Sequence, residues 1–215
     1  MTLQEVNQLT IDAYEQLAPK YHESFKDEMK HKEYDKKILD QFSEMLHPSS
    51  KICDAGCGPS GHIGKYLQKK GLELTGIDIS PKCIELATQY EKDIKFHCMD
   101  MMDMQLESSS FDGIISFYSI IHTPKIDVPK IFREYNRVLK PDGLILIVVK
   151  KGTAEGIISG EWYEGNQIYF TNFLENEISD YLTESGFKII SLETRNPYNS
   201  EITVDRIYTI AKKYR

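Results

Sequence analysis

A strand followed by a glycine-rich turn decides the fold: Lys51-Ile-Cys-Asp-Ala-Gly-Cys-Gly-Pro-Ser-Gly61. Lys51 to Ala55 is a short apolar run of strand length, and the helical segment Ile63 to Lys70 follows the turn. Glycines at such a junction let the backbone approach a ligand closely, and the start of the helix presents free N–H groups. The stretch therefore predicts a ligand-binding turn at the edge of a parallel sheet.

Further apolar runs of strand length follow, at residues 72–79, 94–98, 111–117 and 144–149. Strands that alternate with helices predict a parallel sheet covered on both faces. Two last runs, Phe187 to Thr194 and Ile207 to Lys212, are joined by a turn-rich loop too short for a crossover helix, so they are predicted to pair antiparallel. The predicted fold is a three-layer α/β sandwich with a seven-stranded, mostly parallel sheet and an antiparallel C-terminal strand.

The first fifty residues carry apolar positions at spacings of three and four, which predicts two amphipathic helices. The polar stretch between Pro19 and Lys32 is predicted to be an irregular link or a broken helix.

Composition narrows the classes of partner. Among 215 residues, 26 Lys and Arg stand against 33 Asp and Glu, a formal net charge of −7 that disfavours nucleic acid. The four cysteines follow no disulfide or metal-ligand spacing, which indicates a reducing compartment and no metal. The N-terminus does not resemble a secretory signal, and no apolar run is long enough to cross a bilayer. We expect a cytoplasmic protein with no membrane partner.

Three acidic residues end successive predicted strands: Asp54, Asp78 and Asp100. Each alone could cap a helix, but together they are predicted to lie on the one sheet edge where open α/β sheets bind ligands. A carboxylate after the second strand can accept from both hydroxyls of a ribose, and one after the third can accept from an adenine amine.

These motifs together resemble the class I S-adenosylmethionine-dependent methyltransferases of the small-molecule type. The resemblance spans Lys51 to Lys150 most strongly and rests on Asp54-Ala-Gly-Cys-Gly58, Asp78-Ile-Ser80, Asp100, Phe111-Asp112 and Val138-Leu-Lys-Pro-Asp-Gly143. A tyrosine-containing N-terminal helix, from Ala13 to Tyr21, is also typical of that branch.

The resemblance implies S-adenosylmethionine as the cofactor and assigns residues to its parts. In this resemblance, Gly56, Gly58 and Asp54 contact the methionine part of the cofactor, and the backbone at Phe117 also binds its ammonium group. Asp78 binds the ribose, while Ile79, Met101 and Asp100 contact the adenine. Gly61, displaced by Pro59-Ser60, belongs to an expanded turn, and Tyr14 and Tyr21 close the other side of the site.

The resemblance also implies a single domain over residues 1–215. Residues 1–50 form a helical cover, 51–150 the cofactor-binding core, 151–173 a substrate-side insert, and 174–215 a helix and strand pair. The implied partner is a small-molecule acceptor methylated at O, N, S or C, with the protein a monomer or homodimer. The insert, which carries the only tryptophan, Trp162, is either a mobile cover or a surface excursion.

Two alternatives stay open. The spacing Gly56-x-Gly58-x-x-Gly61, with Asp78 twenty residues after Gly58, also matches the dinucleotide fingerprint of NAD(P)-dependent oxidoreductases. Asp54 counts against it, because a carboxylate beside the turn would repel a pyrophosphate and favours a cationic cofactor. The other alternative is a non-catalytic S-adenosylmethionine-binding module.

His122, just beyond the fourth predicted strand, is the candidate catalytic residue. Imidazole can serve as a general base near neutral pH, and a base is needed only if the acceptor is protonated. A packing or capping histidine is the alternative for this position.

Overall fold

The computed structural model describes residues 1–214 and has a seven-stranded main sheet in the order β3-β2-β1-β4-β5-β9-β8. Strand β9 runs antiparallel to both of its neighbours, and the other pairings are parallel. The predicted fold class is therefore confirmed. The strands of this sheet are β1 Lys51–Ala55, β2 Glu73–Asp78, β3 Lys95–Cys98, β4 Phe111–Phe117, β5 Leu139–Lys150, β8 Phe187–Arg195 and β9 Arg206–Lys213.

Six α-helices flank the sheet: α1 Leu3–Phe25, α2 Glu33–Glu44, α3 His62–Gln68, α4 Pro81–Tyr90, α5 Val128–Val138 and α6 Glu175–Glu184. Their first residues follow from local chemistry. Thr2 and Glu5 form a reciprocal capping box on α1, and Ser80 caps α4 ahead of a proline that needs no N–H partner. None of the helices within residues 1–214 is long and apolar enough to span a membrane.

Alternating side chains of β5 pack into two separate hydrophobic cores, one on each face of the sheet. Ile145, Ile147 and Val149 pack with α5 and α6 on one face. Leu144, Leu146 and Val148 lie on the other face with α2 and α3. The sheet is thus buried on both sides, as its apolar strands require.

Strand order reverses between β1 and β4, because the chain first builds β2 and β3 on one side and then crosses to the other. Ligands bind beyond the carboxyl ends of the strands at such a switch point. The glycine-rich turn after β1 lies at this point.

The prediction for Pro19 to Lys32 is wrong as far as Phe25, because α1 continues unbroken to that residue. It is confirmed beyond Phe25, where a turn and the short 3-10 helix Glu28–Lys30 lead to α2. Proline removes the helix hydrogen bond to Glu15, but burial on the following turn holds the helix together. His22 is buried, hydrogen-bonds Ser60 through Nδ1 at 3.1 Å, and stacks on Tyr90 with ring centroids 3.6 Å apart.

The insert holds an additional two-stranded antiparallel sheet that the sequence patterns did not reveal. Its strands are β6 Glu155–Ile158 and β7 Ile168–Thr171. The short 3-10 helix Glu161–Tyr163 lies at the tip between them.

Replacing Pro19 by alanine should stabilise the protein. Pro19 is exposed within a continuous helix, so Pro19→Ala restores a backbone donor and should raise the free energy of unfolding by about 1–2 kcal/mol after the loss of unfolded-state rigidity. Urea denaturation measures the change. Pro197→Ala, in the loop between β8 and β9, is the control and should give no gain. An equal or lower stability of Pro19→Ala would mean that α1 is interrupted at this residue.

Candidate functional site

Backbone hydrogen bonds hold the turn after β1, and its conformation requires glycine at position 56. The N–H groups of Gly56 and Cys57 both donate to the Ile77 carbonyl, at 2.8 and 3.0 Å. Gly56 has φ +79°, and a Cβ added there would lie 2.2 Å from Cβ of Ser119. The backbone is therefore wedged between the end of β2 and the segment after β4, with no room for a side chain.

Asp78, at the end of β2, orders the same turn. Its Oδ2 accepts from the Gly58 N–H at 3.0 Å and its Oδ1 from the Ser80 N–H at 2.9 Å. Burial raises the pKa of the Asp78 carboxyl, and these backbone donors oppose the rise. Since a carboxylate oxygen has two lone pairs, each oxygen retains an acceptor site for a ligand.

Asp100 lies across the cavity from the turn and is tied to the first helix. Its Oδ1 accepts from the Met102 N–H and its Oδ2 from the Asn7 amide nitrogen, both at 2.8 Å. Asn7 belongs to α1, so the N-terminal helix reaches across the carboxyl ends of the strands and contacts the loop after β3.

These groups surround an open cavity at the carboxyl ends of the strands, on the side of the sheet edge where such folds bind ligands. The sequence-derived candidates that line it are Tyr14, Tyr21, Gly56, Gly58, Asp78, Ile79, Asp100, Met101, Phe117 and His122. The predicted turn, strand ends and entry helix thus converge on one place.

Two candidates do not line the cavity. Asp54 shares the face of Ile52, so its side chain passes beneath α3, where Oδ2 lies 3.1 Å from the position a Gly64 Cβ would take. Burial raises its pKa to about 7, and Oδ2 has no hydrogen-bond partner among the described residues. Gly61 caps α3 with φ +55° and packs against the Phe96 ring. The predicted rim of three acids therefore contains two.

The structure adds six lining residues that the motifs missed: Asn7, Thr10, Met102, Tyr118, Ser119 and Thr123. A signal for two of them existed, since Asn7 and Thr10 share a helical face with Tyr14 and Tyr21 at spacings of three, four and seven. No sequence pattern marks Tyr118, which takes the left-handed conformation at φ +52° directly after β4.

His122 is fixed at both ring nitrogens. Nδ1 lies 2.9 Å from the Tyr169 carbonyl, which can only accept, so this nitrogen carries the proton. Nε2 lies 3.2 Å from the Tyr14 hydroxyl and therefore accepts from it. Burial, with a smaller effect of the Lys150 charge, lowers the pKa of His122 to about 4. The imidazole is neutral at physiological pH and holds a proton too weakly to be the expected general base.

Comparison with known proteins identifies the domain. Residues 53–147 match the family described as "Methyltransferase domain". Phosphoethanolamine N-methyltransferase 2 of Caenorhabditis elegans is 30% identical over 175 residues, which cover 79% of this chain and 39% of that protein. This chain contains a methyltransferase domain. The predicted resemblance to methyltransferases is thereby confirmed.

Solved methyltransferase structures share the fold of this methyltransferase domain. An S-adenosylmethionine-dependent methyltransferase from Methanosarcina mazei superposes with a TM-score of 0.74 at 20% identity, over 82% of this chain and 97% of its own. The 1,6-didemethyltoxoflavin-N1-methyltransferase of Burkholderia thailandensis, solved with S-adenosylhomocysteine, gives 0.70 at 16% identity over 100% and 92%. The family match favours a methyltransferase over an oxidoreductase. The predicted repulsion between Asp54 and a pyrophosphate does not contribute to this choice, because the Asp54 side chain does not line the cavity.

The pKa of His122 gives a direct test of the cavity geometry. In NMR spectra of the imidazole resonances, His122 should stay neutral down to about pH 5, with the exposed His47 as reference. Tyr14→Phe should raise the pKa of His122, because the hydroxyl donates to the neutral form of the ring. Protonation of His122 near pH 6.5 in the folded protein would contradict the arrangement.

Proposed function

We propose that this chain transfers the methyl group of S-adenosylmethionine to a small-molecule amine. The observation that carries the proposal is the cavity bounded by the turn at Gly56 and by Asp78 and Asp100. When bound, S-adenosylmethionine supplies a sulfonium methyl group that leaves a neutral thioether, so the protein need not protonate a leaving group.

The residues of the cavity fit this cofactor. Asp78 retains an acceptor position on each oxygen, which suits two ribose hydroxyls, and Asp100 suits an exocyclic amine. Ile79 and Met101 supply apolar faces beside these acids. At Gly58 the only neighbour of an added Cβ would be Tyr21 at 4.0 Å, so the turn leaves open space on the cavity side for the methionine part.

Tyr14 and His122 are suited to position the acceptor rather than to remove its proton. The Tyr169 carbonyl orients His122, and Nε2 of His122 in turn accepts a hydrogen bond from the Tyr14 hydroxyl. The Tyr14 oxygen is then left as an acceptor on the cavity wall and can align an N–H of the nucleophile. Alignment of reacting groups can supply roughly 7 to 11 kcal/mol of the barrier reduction.

An amine acceptor follows from the aromatic lining. Tyr14, Tyr21, Tyr118 and His122 border the cavity, and aromatic faces attract ammonium groups. An amine that binds as the ammonium ion releases a proton to water before its lone pair attacks the methyl group. The nematode relative is named a phosphoethanolamine N-methyltransferase, which is consistent with nitrogen as the acceptor atom. This supports N over O, S or C among the acceptor atoms considered.

The insert is proposed to cover the site. Its tip contacts α1, where the Lys20 ammonium donates to the Trp162 carbonyl at 2.9 Å and lies 4.8 Å from the centre of the Trp162 ring. The same ammonium pairs with Glu164 at 3.2 Å. These contacts of a half-buried lysine at the surface are weak individually, which suits a cover that opens for ligand exchange.

We also propose a cytoplasmic monomer or homodimer with no nucleic-acid partner. The net charge of −7 and the free state of all four cysteines support this environment.

Ligand-induced thermal stabilisation tests the cofactor assignment. S-adenosylhomocysteine should raise the Tm and NADH should not. Asp78→Asn should lower the affinity for S-adenosylhomocysteine, measured by calorimetry, at least tenfold, because an amide lacks the charge and one of the two acceptor oxygens. Asp103→Asn, an exposed carboxylate on the next loop, is the matched control and should bind normally. Stabilisation by NADH alone would replace the proposal with a dinucleotide enzyme.

The positioning role predicts a kinetic split. Tyr14→Phe should lower kcat for methyl transfer to small amines by about tenfold or more, since the nucleophile loses its alignment. The affinity for S-adenosylhomocysteine should change little, because the ring remains. Tyr90→Phe, outside the cavity, is the control. Radiolabelled methyl transfer measures the rates, and unaltered turnover of Tyr14→Phe would leave Tyr14 and His122 with packing roles only.

A further inference from the structure

Lys150 carries a positive charge at the carboxyl end of β5. It is the last residue of β5, and its ammonium lies 4.7 Å from the centre of the Phe170 ring. Within residues 1–214, no carboxylate or carbonyl lies within hydrogen-bond or ion-pair distance of this ammonium. Burial lowers its pKa to about 8. An unpaired ammonium that is partly removed from water is costly, so its retention calls for a reason.

The surroundings of Lys150 increase that cost. The residue opposite it on β9 is Arg206, and like charges facing each other across a sheet repel. Glu201 offsets this repulsion only in part, since it already pairs with Lys32, Arg195 and Arg206. By contrast, the adjacent Lys151 has a carboxylate partner of its own, Glu175 at 2.7 Å.

Lys150 lies behind the wall of the cavity, on the side of His122. The Phe170 ring that contacts it lies 6.3 Å from the His122 ring, and His122 lines the cavity. Strand β5 is also the neighbour of β4, whose end carries Tyr118 on the cavity wall. The two acids that suit the cofactor belong to the ends of β2 and β3, on the opposite side of the switch point.

We propose that Lys150 binds an anionic group of the methyl acceptor, so that the substrate is a small amine that also carries a phosphate or a carboxylate. The amine then lies at Tyr14, and the anion lies at Lys150 beyond the Phe170 ring. A bound anion would form an ion pair with the Lys150 ammonium and would offset its repulsion from Arg206. This inference rests on the proposed function, because it concerns the acceptor of that same reaction.

Three amines with a two-carbon linker and different end groups test the inference: ethanolamine, phosphoethanolamine and β-alanine. Their binding to the protein saturated with S-adenosylhomocysteine is measured by calorimetry. At least one anionic amine should bind tenfold or more tightly than ethanolamine. That preference should fall at least tenfold in Lys150→Gln and recover in part in Lys150→Arg, which restores the charge. Lys188→Gln, an exposed lysine of β8, is the matched control and should keep the full preference.

The pattern of binding separates the outcomes. Preference for phosphoethanolamine identifies a phosphate site, and preference for β-alanine identifies a carboxylate site. Equal affinity for all three amines, binding of none of them, or a preference that Lys150→Gln leaves unaltered would overturn the inference. Binding of S-adenosylhomocysteine is measured first in every variant. Its absence from the wild type would refute the proposed function itself, whereas its presence without anion preference refutes only the role of Lys150.

Discussion

The close approach of the turn after β1 to the segment after β4 is the constraint on which the site depends. Gly56 fits against Ser119 only because it has no side chain, and its N–H shares the Ile77 carbonyl with that of Cys57. Asp78 then receives the Gly58 N–H and becomes fixed at the mouth of the cavity. One tight contact at the switch point thus positions both the backbone and the carboxylate that face a ligand.

Charge divides the site into two ends. Asp78 and Asp100 stand at the ends of β2 and β3, and each is oriented by hydrogen bonds from neighbouring residues. Lys150 stands at the end of β5, where no carboxylate of residues 1–214 pairs with it. A cationic methyl donor is attracted by negative charge, and an acceptor that carries an anionic group is attracted by positive charge. The acids at β2 and β3 suit the donor, and Lys150 at β5 suits the proposed acceptor. Between the ends, the neutral Tyr14 and His122 pair orients groups without adding charge.

Much of the site could be predicted because it is encoded locally. Strand ends, a glycine turn and the acids that follow strands are all visible in a linear pattern, and Gly56, Asp78 and Asp100 were located on that basis. The same argument gave the wrong position for the Asp54 side chain. The pattern predicts the strand, but it does not show on which face of the sheet the side chain near the strand's end lies. The continuation of α1 beyond Pro19 was missed for a related reason, since burial of His22 against Ser60 and Tyr90 is a long-range effect.

The sequence by itself determined the order of the strands and helices of the main sheet and the glycine-rich turn, because hydrophobic period and glycine placement are properties of short segments. Only the tertiary structure decided which side chains share the cavity. Asn7 meets Asp100 across 93 residues of chain, and Tyr14 meets His122 across 108. Contacts at such separations depend on how the helices pack over the sheet edge, and no local pattern specifies that packing.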